Sequence, residues 1–507
     1  MRKKKFVYNT LSAIFNQIVT IICGFILPRQ ILLHYGSNVN GLVSSITNFL
    51  GIITLLDLGV GAVVQSSLYK PLSENDTSKI SNILFESKIF FDKIGLIMIL
   101  YTCLLMLFFP LAISSEIGFL STVFLVFSIA LTNITQYFFG ITNQLLLNAD
   151  QKSYIPLLIN SLTIVLNTIV SVILINLNFS ITIVKLISAS VILLRPFLLY
   201  IYVKKHYNLN RVKNVKKTNL KQKWDAVTQH IATFVVDKTD VVVLTLFSTL
   251  KNVSIYYVYH LVVSGLYQAI LVLTTGLQAL FGDMYAKNER EKLKNTHEYF
   301  EWIFHNLIVL LFSCTFILII PFVKIYTKGV DDTNYILPVF SGILTVAIAF
   351  CCLRSFYGII IKSIGHFKET QTGAIVEAII NIVISIIFVN FYGLIGVAIG
   401  TLIAMIYRTL YLISYIGKYI LVRNNRFVVK IFFVDLLICA ITYLCFVNID
   451  IWANSYYSWA LSALFTFCII STIIIVINII FNFTYVQKTW QHFKTILVNI
   501  KHKKEIS

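Results

Sequence analysis

Residues 455–483 read SYYSWALSALFTFCIISTIIIVINIIFNF, an unbroken run without one charged side chain. A helix of that length spans a hydrocarbon core about 30 Å thick with room to tilt. The run does not alternate, so it is no β-barrel strand, which would show alternating segments of about ten residues. Working outward, comparable runs lie near 428–448, 394–417, 369–391, 334–361, 299–325, 254–282 and 226–250. Beyond a polar break they continue at 179–203, 154–176, 117–147, 90–112, 40–64 and 7–28. The chain is 58% hydrophobic and only 12% charged, whereas soluble domains carry about 25% charged residues. Such a chain takes lipid as its solvent, and its backbone must then be helical. The expected fold class is an all-α polytopic membrane protein of about fourteen transmembrane helices.

A formal net charge of +19 would suit a nucleic-acid partner, but the distribution of charge excludes that class. Lys and Arg cluster between apolar runs, as the positive-inside bias requires. With the N-terminus in the cytoplasm, all but nine of the 41 Lys and Arg residues fall in cytoplasmic segments. The nine are Arg29, Lys185, Arg195, Lys238, Lys251, Lys324, Lys328, Arg354 and Arg408, and several of these lie inside spans. Both termini are therefore expected in the cytoplasm. Arg2-Lys3-Lys4-Lys5 and the run behind it resemble a signal peptide. That run carries Asn9, Asn16 and Gln17 and ends at Pro28-Arg29 without a small-x-small site, so it reads as an uncleaved first span. The eight cysteines are scattered through apolar runs with neither zinc nor redox spacing, and read as small hydrophobes.

The basic segment 204–225 separates two groups of six runs, which defines an N-terminal lobe at 1–203 and a second at 226–418. Two more helices follow within 428–483, then a basic cytoplasmic tail at 484–507. A weak repeat falls on the same division. Phe138-Phe139-Gly140-Ile141 matches Phe356-Tyr357-Gly358-Ile359, and Asn167-x3-Ser171 matches Asn381-x3-Ser385. Six spans separate each pair, so the lobes would be parallel repeats.

Polar residues inside apolar runs carry the information about function. Gln229, Thr233, Asp237 and Asp240 share one helical face. So do Asn9, Ser12, Asn16 and Thr20, and so do Ser264, Gln268, Thr275 and Gln278. Such stripes face other helices or a hydrated cavity. Asp57, Arg195, Asp237, Lys238, Asp240, Arg354, Glu377 and Arg408 are charges within spans. Each costs roughly 2.5–3.5 kcal/mol at mid-membrane, so each needs a partner or a cavity. Arg195, Arg354 and Arg408 fall in the cytoplasmic halves of their helices, where guanidinium groups would form a vestibule suited to phosphate. Arg195 and Arg408 could instead snorkel or pair with Asp57 and Glu377. Asp237, Asp240 and Glu377 could bind a coupling ion, H+ or Na+, and Lys238 could equally neutralise its neighbours. No glycine-rich nucleotide loop with its lysine is present, which argues against an ATP-driven pump. His230, His260, His305 and His366 show no paired spacing and are expected to bond locally. No metal or cofactor site is expected.

Gly24 to Tyr69 resembles the opening of the bacterial polysaccharide transporters, the O-antigen and capsule repeat-unit flippases. The resemblance is carried by Pro28-Arg29, Tyr35-Gly36, Asn40-Gly41-Leu42 and above all Leu55-Leu56-Asp57-Leu58-Gly59-Val60-Gly61. Asp240 with Tyr256-Tyr257, and Tyr392 to Thr401, are similar to later spans of that family. In one respect the chain departs from the pattern: Val241 follows Asp240, where a basic residue is common, and Lys238 stands on the other side. Across most of residues 1–418 the resemblance implies the fold of multidrug exporters and lipid II flippases. It also implies a bacterial cytoplasmic membrane and a substrate of undecaprenyl-pyrophosphate-linked oligosaccharide, moved by alternating access. Membrane lipids and other polysaccharide assembly proteins are the implied partners. Arg29, Arg195, Arg354, Arg408, Asn16 and Gln268 are expected at the substrate cavity. Three other readings stay open: a cation-coupled multidrug exporter of the same fold, a membrane polysaccharide polymerase, and a structural scaffold.

Overall fold

The computed structural model describes residues 2–57, 59–113, 117–209, 224–424, 426–449, 451 and 453–491. Most of the basic linker, the tail from residue 492, Leu58 of the Asp-Leu-Gly element, and the side chains of Gln229 and Thr275 lie outside the described residues. Among the described residues every regular element is helical. The helices are α1 Arg2–Gly51, α2 Val60–Glu74, α3 Thr77–Ala112, α4 Phe119–Thr135, α5 Ile141–Ala149, α6 Tyr154–Asn176, α7 Ile181–Ile192 and α8 Leu194–His206. They continue as α9 Trp224–Phe247, α10 Leu250–Ala286, α11 Arg290–Tyr326, α12 Pro338–Ile364, α13 Phe367–Tyr392, α14 Leu394–Tyr415, α15 Arg426–Phe446 and α16 Tyr456–Phe481. Counted as continuous helical segments, with α4 joined to α5 and α7 to α8, twelve among the described residues are long and apolar enough to cross a membrane. The first of these, Val7–Asp57, holds two of the expected runs and breaks at Gly36, whose φ of +79° suits glycine. The run at α9 carries Asp237, Lys238 and Asp240 and is not among the twelve. Divided at Gly36 and with α9 added, the twelve become the roughly fourteen crossings expected. The protein is an all-α polytopic membrane protein.

α3 shows how the sequence is solved for lipid. Leu96, Leu100, Leu104, Leu107 and Leu111 are exposed along one stripe. Phe91, Ile94, Met98, Leu105 and Phe109 are buried on the other face. In water that leucine stripe would be a docking patch or an aggregation hazard; against acyl chains it is at home. Asp76 starts the helix by accepting a hydrogen bond from the Lys79 backbone N–H at 2.9 Å.

Several expected runs are not single helices. The run at 40–64 tightens to a 3-10 turn at Ile52–Asp57, and Gly59 at φ +75° then starts α2. The run at 179–203 breaks between α7 and α8, beside Arg195 and Pro196. Proline removes the backbone donor there and frees a carbonyl of the preceding turn. The run at 117–147 contains a π turn at Gln136–Gly140. Phe138-Phe139-Gly140 lies on that turn, whereas Phe356-Tyr357-Gly358 lies in regular α12, so the two segments differ in conformation. The second pair of the repeat is more alike. Asn167 accepts from Ser188 on the following helix, and Asn381 donates to Thr401 on the following helix.

The chain divides into two compact units, Met1–Leu261 with Gly329–Asn334, and Val262–Lys328 with Tyr335–Ser507. In the first, α1 packs on α6, and α4 and α6 both pack on α7. At one end Lys5, Asp150, Lys152 and Tyr207 meet; at the other, Tyr35 donates to the Phe179 carbonyl at 2.5 Å. There too Asp332 accepts from the Ser37 backbone N–H and from Ser37 Oγ, both at 2.6 Å. The alternation of spans requires these groupings. In the second unit α14 packs on α12 and α13, while α15 and α16 dock on α11. Val309, Ile438, Ile470 and Ile474 fill that junction. Trp302 Nε1 donates to Asn478 Oδ1 at 2.7 Å, and Asn478 Nδ2 to Asn306 Oδ1 at 2.6 Å.

The Asp150 cluster carries a pH prediction. Burial acts to raise the carboxyl pKa, but hydrogen bonds from Lys152, Tyr207 and Lys5 outweigh it and hold Asp150 below the ordinary carboxylate range. A lowered folded-state pKa means the carboxylate stabilises the fold above its unfolded pKa. That contribution is lost as pH falls through the folded value. Asp150→Asn is therefore expected to melt lower than the parent at neutral pH, with the gap closing on acidification. A gap in thermal denaturation that is constant with pH would contradict the cluster's role.

Candidate functional site: buried charges within the helical units

Arg354, Glu377 and Arg408 come from three neighbouring helices, α12, α13 and α14, and all three are buried. Arg354 Nη1 donates to Glu377 Oε1 at 2.5 Å, and Arg408 Nε lies 3.4 Å from Oε2. Arg408 Nη1 also donates to the Thr370 carbonyl at 3.1 Å, and its guanidinium lies over the Tyr411 ring at 5.3 Å. Gly373 makes the approach possible, because a Cβ there would fall 2.5 Å from Arg408 Nη1 and Tyr411. Both guanidinium groups thus converge on the one buried carboxylate of Glu377.

In the other unit, Asn16 and Arg195 are joined through Asn160. Asn160 Nδ2 donates to Asn16 Oδ1 at 2.8 Å, and Arg195 Nη1 donates to Asn160 Oδ1 at 2.8 Å. Arg195 Nη2 donates to Gln144 Oε1 at 3.1 Å, which also accepts from Gln136 on the π turn at 3.3 Å. The break before Pro196 places this guanidinium inside the unit, where its Nε has no hydrogen-bond partner among the described residues. The α1 stripe is thus an interhelical seam: Asn9 accepts from the Tyr154 backbone N–H, and Ser161 donates to Asn16. Arg195 and the Arg354–Arg408 pair lie in different units, so no single unit contains all three guanidinium groups.

The remaining expected residues have separate surroundings. Asp240 is buried and accepts from Tyr256 at 2.9 Å. Asp237, three residues earlier, is exposed, so only part of the α9 stripe is covered. Lys238 lies against Gly51, where an added Cβ would sit 3.5 Å from Nζ. Asp57 closes the 3-10 turn with Oδ1 buried, and His230 lies within electrostatic range. Arg29 is half-buried near the middle of α1, and Gln268 is exposed on α10. His260 stacks on the Tyr256 ring one turn away, but His305 and His366 bond across helices and not locally, His366 Nδ1 lying 3.0 Å from Tyr415 OH.

His305 belongs to a chain of ionisable groups that sequence reading missed. Arg423 Nη2 binds both oxygens of Glu301, at 2.8 and 2.7 Å. Tyr357 OH donates to Glu301 Oε1 at 2.7 Å, and His305 Nε2 lies 2.9 Å from the same hydroxyl. His305 Nδ1 lies 2.6 Å from Asp435 Oδ2 on α15. Apart from Asp435, at the limit of burial, these side chains are almost fully enclosed. The signal was present in His297-x3-Glu301-x3-His305, one helical face, but Glu301 and Arg423 fall at run edges where charge reads as loop.

The chain is an all-α polytopic membrane protein with charges gathered inside its helical units. No protein-family model matches the chain, and no curated protein sequence matches it. Among solved structures it is similar to "Lipid II flippase MurJ, inward closed conformation", with a TM-score of 0.67, 16% identity, and coverage of 92% of this chain and 98% of that one. It is also similar to an inward-facing multidrug resistance MATE family transporter of the MOP superfamily, with a TM-score of 0.57, 17% identity, and coverage of 79% and 95%. A MOP superfamily transporter from Pyrococcus furiosus matches with a TM-score of 0.50, 17% identity, and coverage of 82% and 96%. The chain has the fold of these transporters.

Proposed function

We propose that the protein is a flippase that moves undecaprenyl-pyrophosphate-linked oligosaccharide repeat units across the bacterial cytoplasmic membrane for surface polysaccharide synthesis. The lobes at 1–203 and 226–418 alternate access, with both termini cytoplasmic. The observation that carries this reading is the convergence of Arg354 and Arg408 on one Glu377. Two guanidinium groups brought together in a low-dielectric place suit an anion, because their planar forks match phosphate oxygens. A pyrophosphate would compete with Glu377 for Arg354 and Arg408, so entry of the cargo would loosen the contacts between α12, α13 and α14. The likeness in fold to a lipid II flippase supports a lipid-linked cargo.

The test is a deletion strain in which surface polysaccharide and the lipid-linked oligosaccharide pool are both measured. Loss of surface polymer with complete repeat units accumulating on the cytoplasmic side is the expected result. Unchanged polymer with altered sensitivity to cationic drugs would replace this reading with a multidrug exporter. Repeat units that reach the outer face and stay unpolymerised would replace it with a polymerase.

A further inference from the structure

Donors and acceptors along the chain of ionisable groups in the second unit have to be counted. Glu301 is gripped by Arg423 through both oxygens, which keeps it ionised, and an ionised carboxylate only accepts. The single Tyr357 hydroxyl proton is therefore spent on Glu301 Oε1. His305 Nε2, 2.9 Å from that hydroxyl oxygen, must then be the donor. On the other side of the ring, Nδ1 and Asp435 Oδ2 are 2.6 Å apart and need a proton between them. The imidazole and the carboxyl together thus hold two protons, as imidazolium with carboxylate or as neutral imidazole with carboxylic acid.

Removal of one proton cannot leave this arrangement intact. The remaining proton stays on Nδ1, facing the negative Asp435, and Nε2 becomes an acceptor. Tyr357 then gives its hydrogen to His305 and its bond to Glu301 is lost, or it keeps Glu301 and leaves His305 Nε2 bare. Either way one buried hydrogen bond between α11 and α12 is exchanged for the proton. Asp435 also lines a cavity of about 510 Å³ walled mainly by apolar side chains, Phe312, Leu353 and Phe432 among them, with Ser313 and Thr442. The other charged or titratable groups facing the chain are His297, Glu298 and Glu301 from α11, Arg423 beyond α14, Cys439 from α15, and Tyr485 beyond α16. His305 is further held by the Phe432 ring, edge-on at 5.0 Å.

We propose that His305 and Asp435 form a binding site for one exchangeable proton, read out through Tyr357 and Glu301. That this proton is the coupling ion of transport rests on the flippase reading; the proton count does not. The site also gives the two C-terminal helices a function, since Asp435 lies on α15, the first of them.

The experiment uses the full chain in phospholipid nanodiscs, labelled with 15N-histidine, and the probe is the proton alone. The His305 resonance is identified by its loss in His305→Gln. As pH is raised over the range in which the protein stays folded, Nε2 is expected to pass from protonated to bare while Nδ1 faces Asp435. Asp435→Asn should abolish the transition, and Tyr357→Phe should shift its midpoint. An Nε2 that is bare at every pH, or protonated at every pH, overturns the proposal. If His305→Gln does not fold, the resonance perturbed in Asp435→Asn supplies the identification. A negative result here would leave the export phenotype of the deletion strain intact, and a neutral deletion would leave this titration intact.

Discussion

Glu377→Gln is expected to destabilise the solubilised protein by about 3–5 kcal/mol, the cost of breaking a buried ion pair from one side. Glu377 is 2% exposed and stands between Arg354 and Arg408, which are 6% and 3% exposed. Neutralising it removes the carboxylate that both buried guanidinium groups contact. Arg354→Gln should cost less, because Glu377 keeps Arg408 at 3.4 Å. The double variant Arg354→Gln, Glu377→Gln should recover part of the loss, since it removes one buried cation together with the carboxylate. Thermal unfolding in detergent, followed by tryptophan fluorescence, gives the order directly. A Glu377→Gln variant as stable as the parent would mean that water or lipid headgroups already solvate the arginines. Export carries a second consequence: if the triad receives an anion, the double variant should fold better than Glu377→Gln and transport no better.

How much of this was legible before the structure depends on what kind of rule was at work. The spans were legible because a lipid-facing helix tolerates little but apolar side chains, and the Leu96–Leu111 stripe shows that constraint at work. Arg354, Glu377 and Arg408 stood out because a charge inside a span is costly. Their sharing of one carboxylate was one of several open pairings, since a helical pattern shows which face is polar and not which helix it meets. Arg195 was found for the same reason, but its partners Asn160 and Gln144 are ordinary polar residues that carry no signal alone. Arg423 and Glu301 escaped notice because position near a run edge made them look solvated. Asp435 is a lone acid in α15, and only the fold brings it to His305. The breaks at Gly36 and Gly59 fall within segments quoted for family resemblance, and positive φ is the physical reason for glycine at both.

The same segment holds the glycine whose replacement should matter most. Gly41→Val is expected to cost about 1–3 kcal/mol through overpacking, plus about 1 kcal/mol for each buried hydrogen bond that it forces apart. A Cβ at Gly41 would lie 1.9 Å from the Leu250 carbonyl oxygen and 2.7 Å from its carbon, where α10 begins. Those are backbone atoms, so no rotamer change relieves the clash and the two helices must separate. On either side of the contact, Asn40 Nδ2 donates to Ser254 Oγ at 2.7 Å, and Ser45 and Thr245 share a hydrogen bond at 2.8 Å. Both pairs are buried, so separation strands polar groups and a gap does not simply open. Gly24→Ala is the control, because nothing lies within 4 Å of a Cβ there. In a helix interior that change should stabilise by up to about 1 kcal/mol. Opposite signs for the two substitutions in one melting experiment would place the close approach at Gly41. A Gly41→Val protein that melts with the parent would mean that α1 and the start of α10 are not in contact in the membrane.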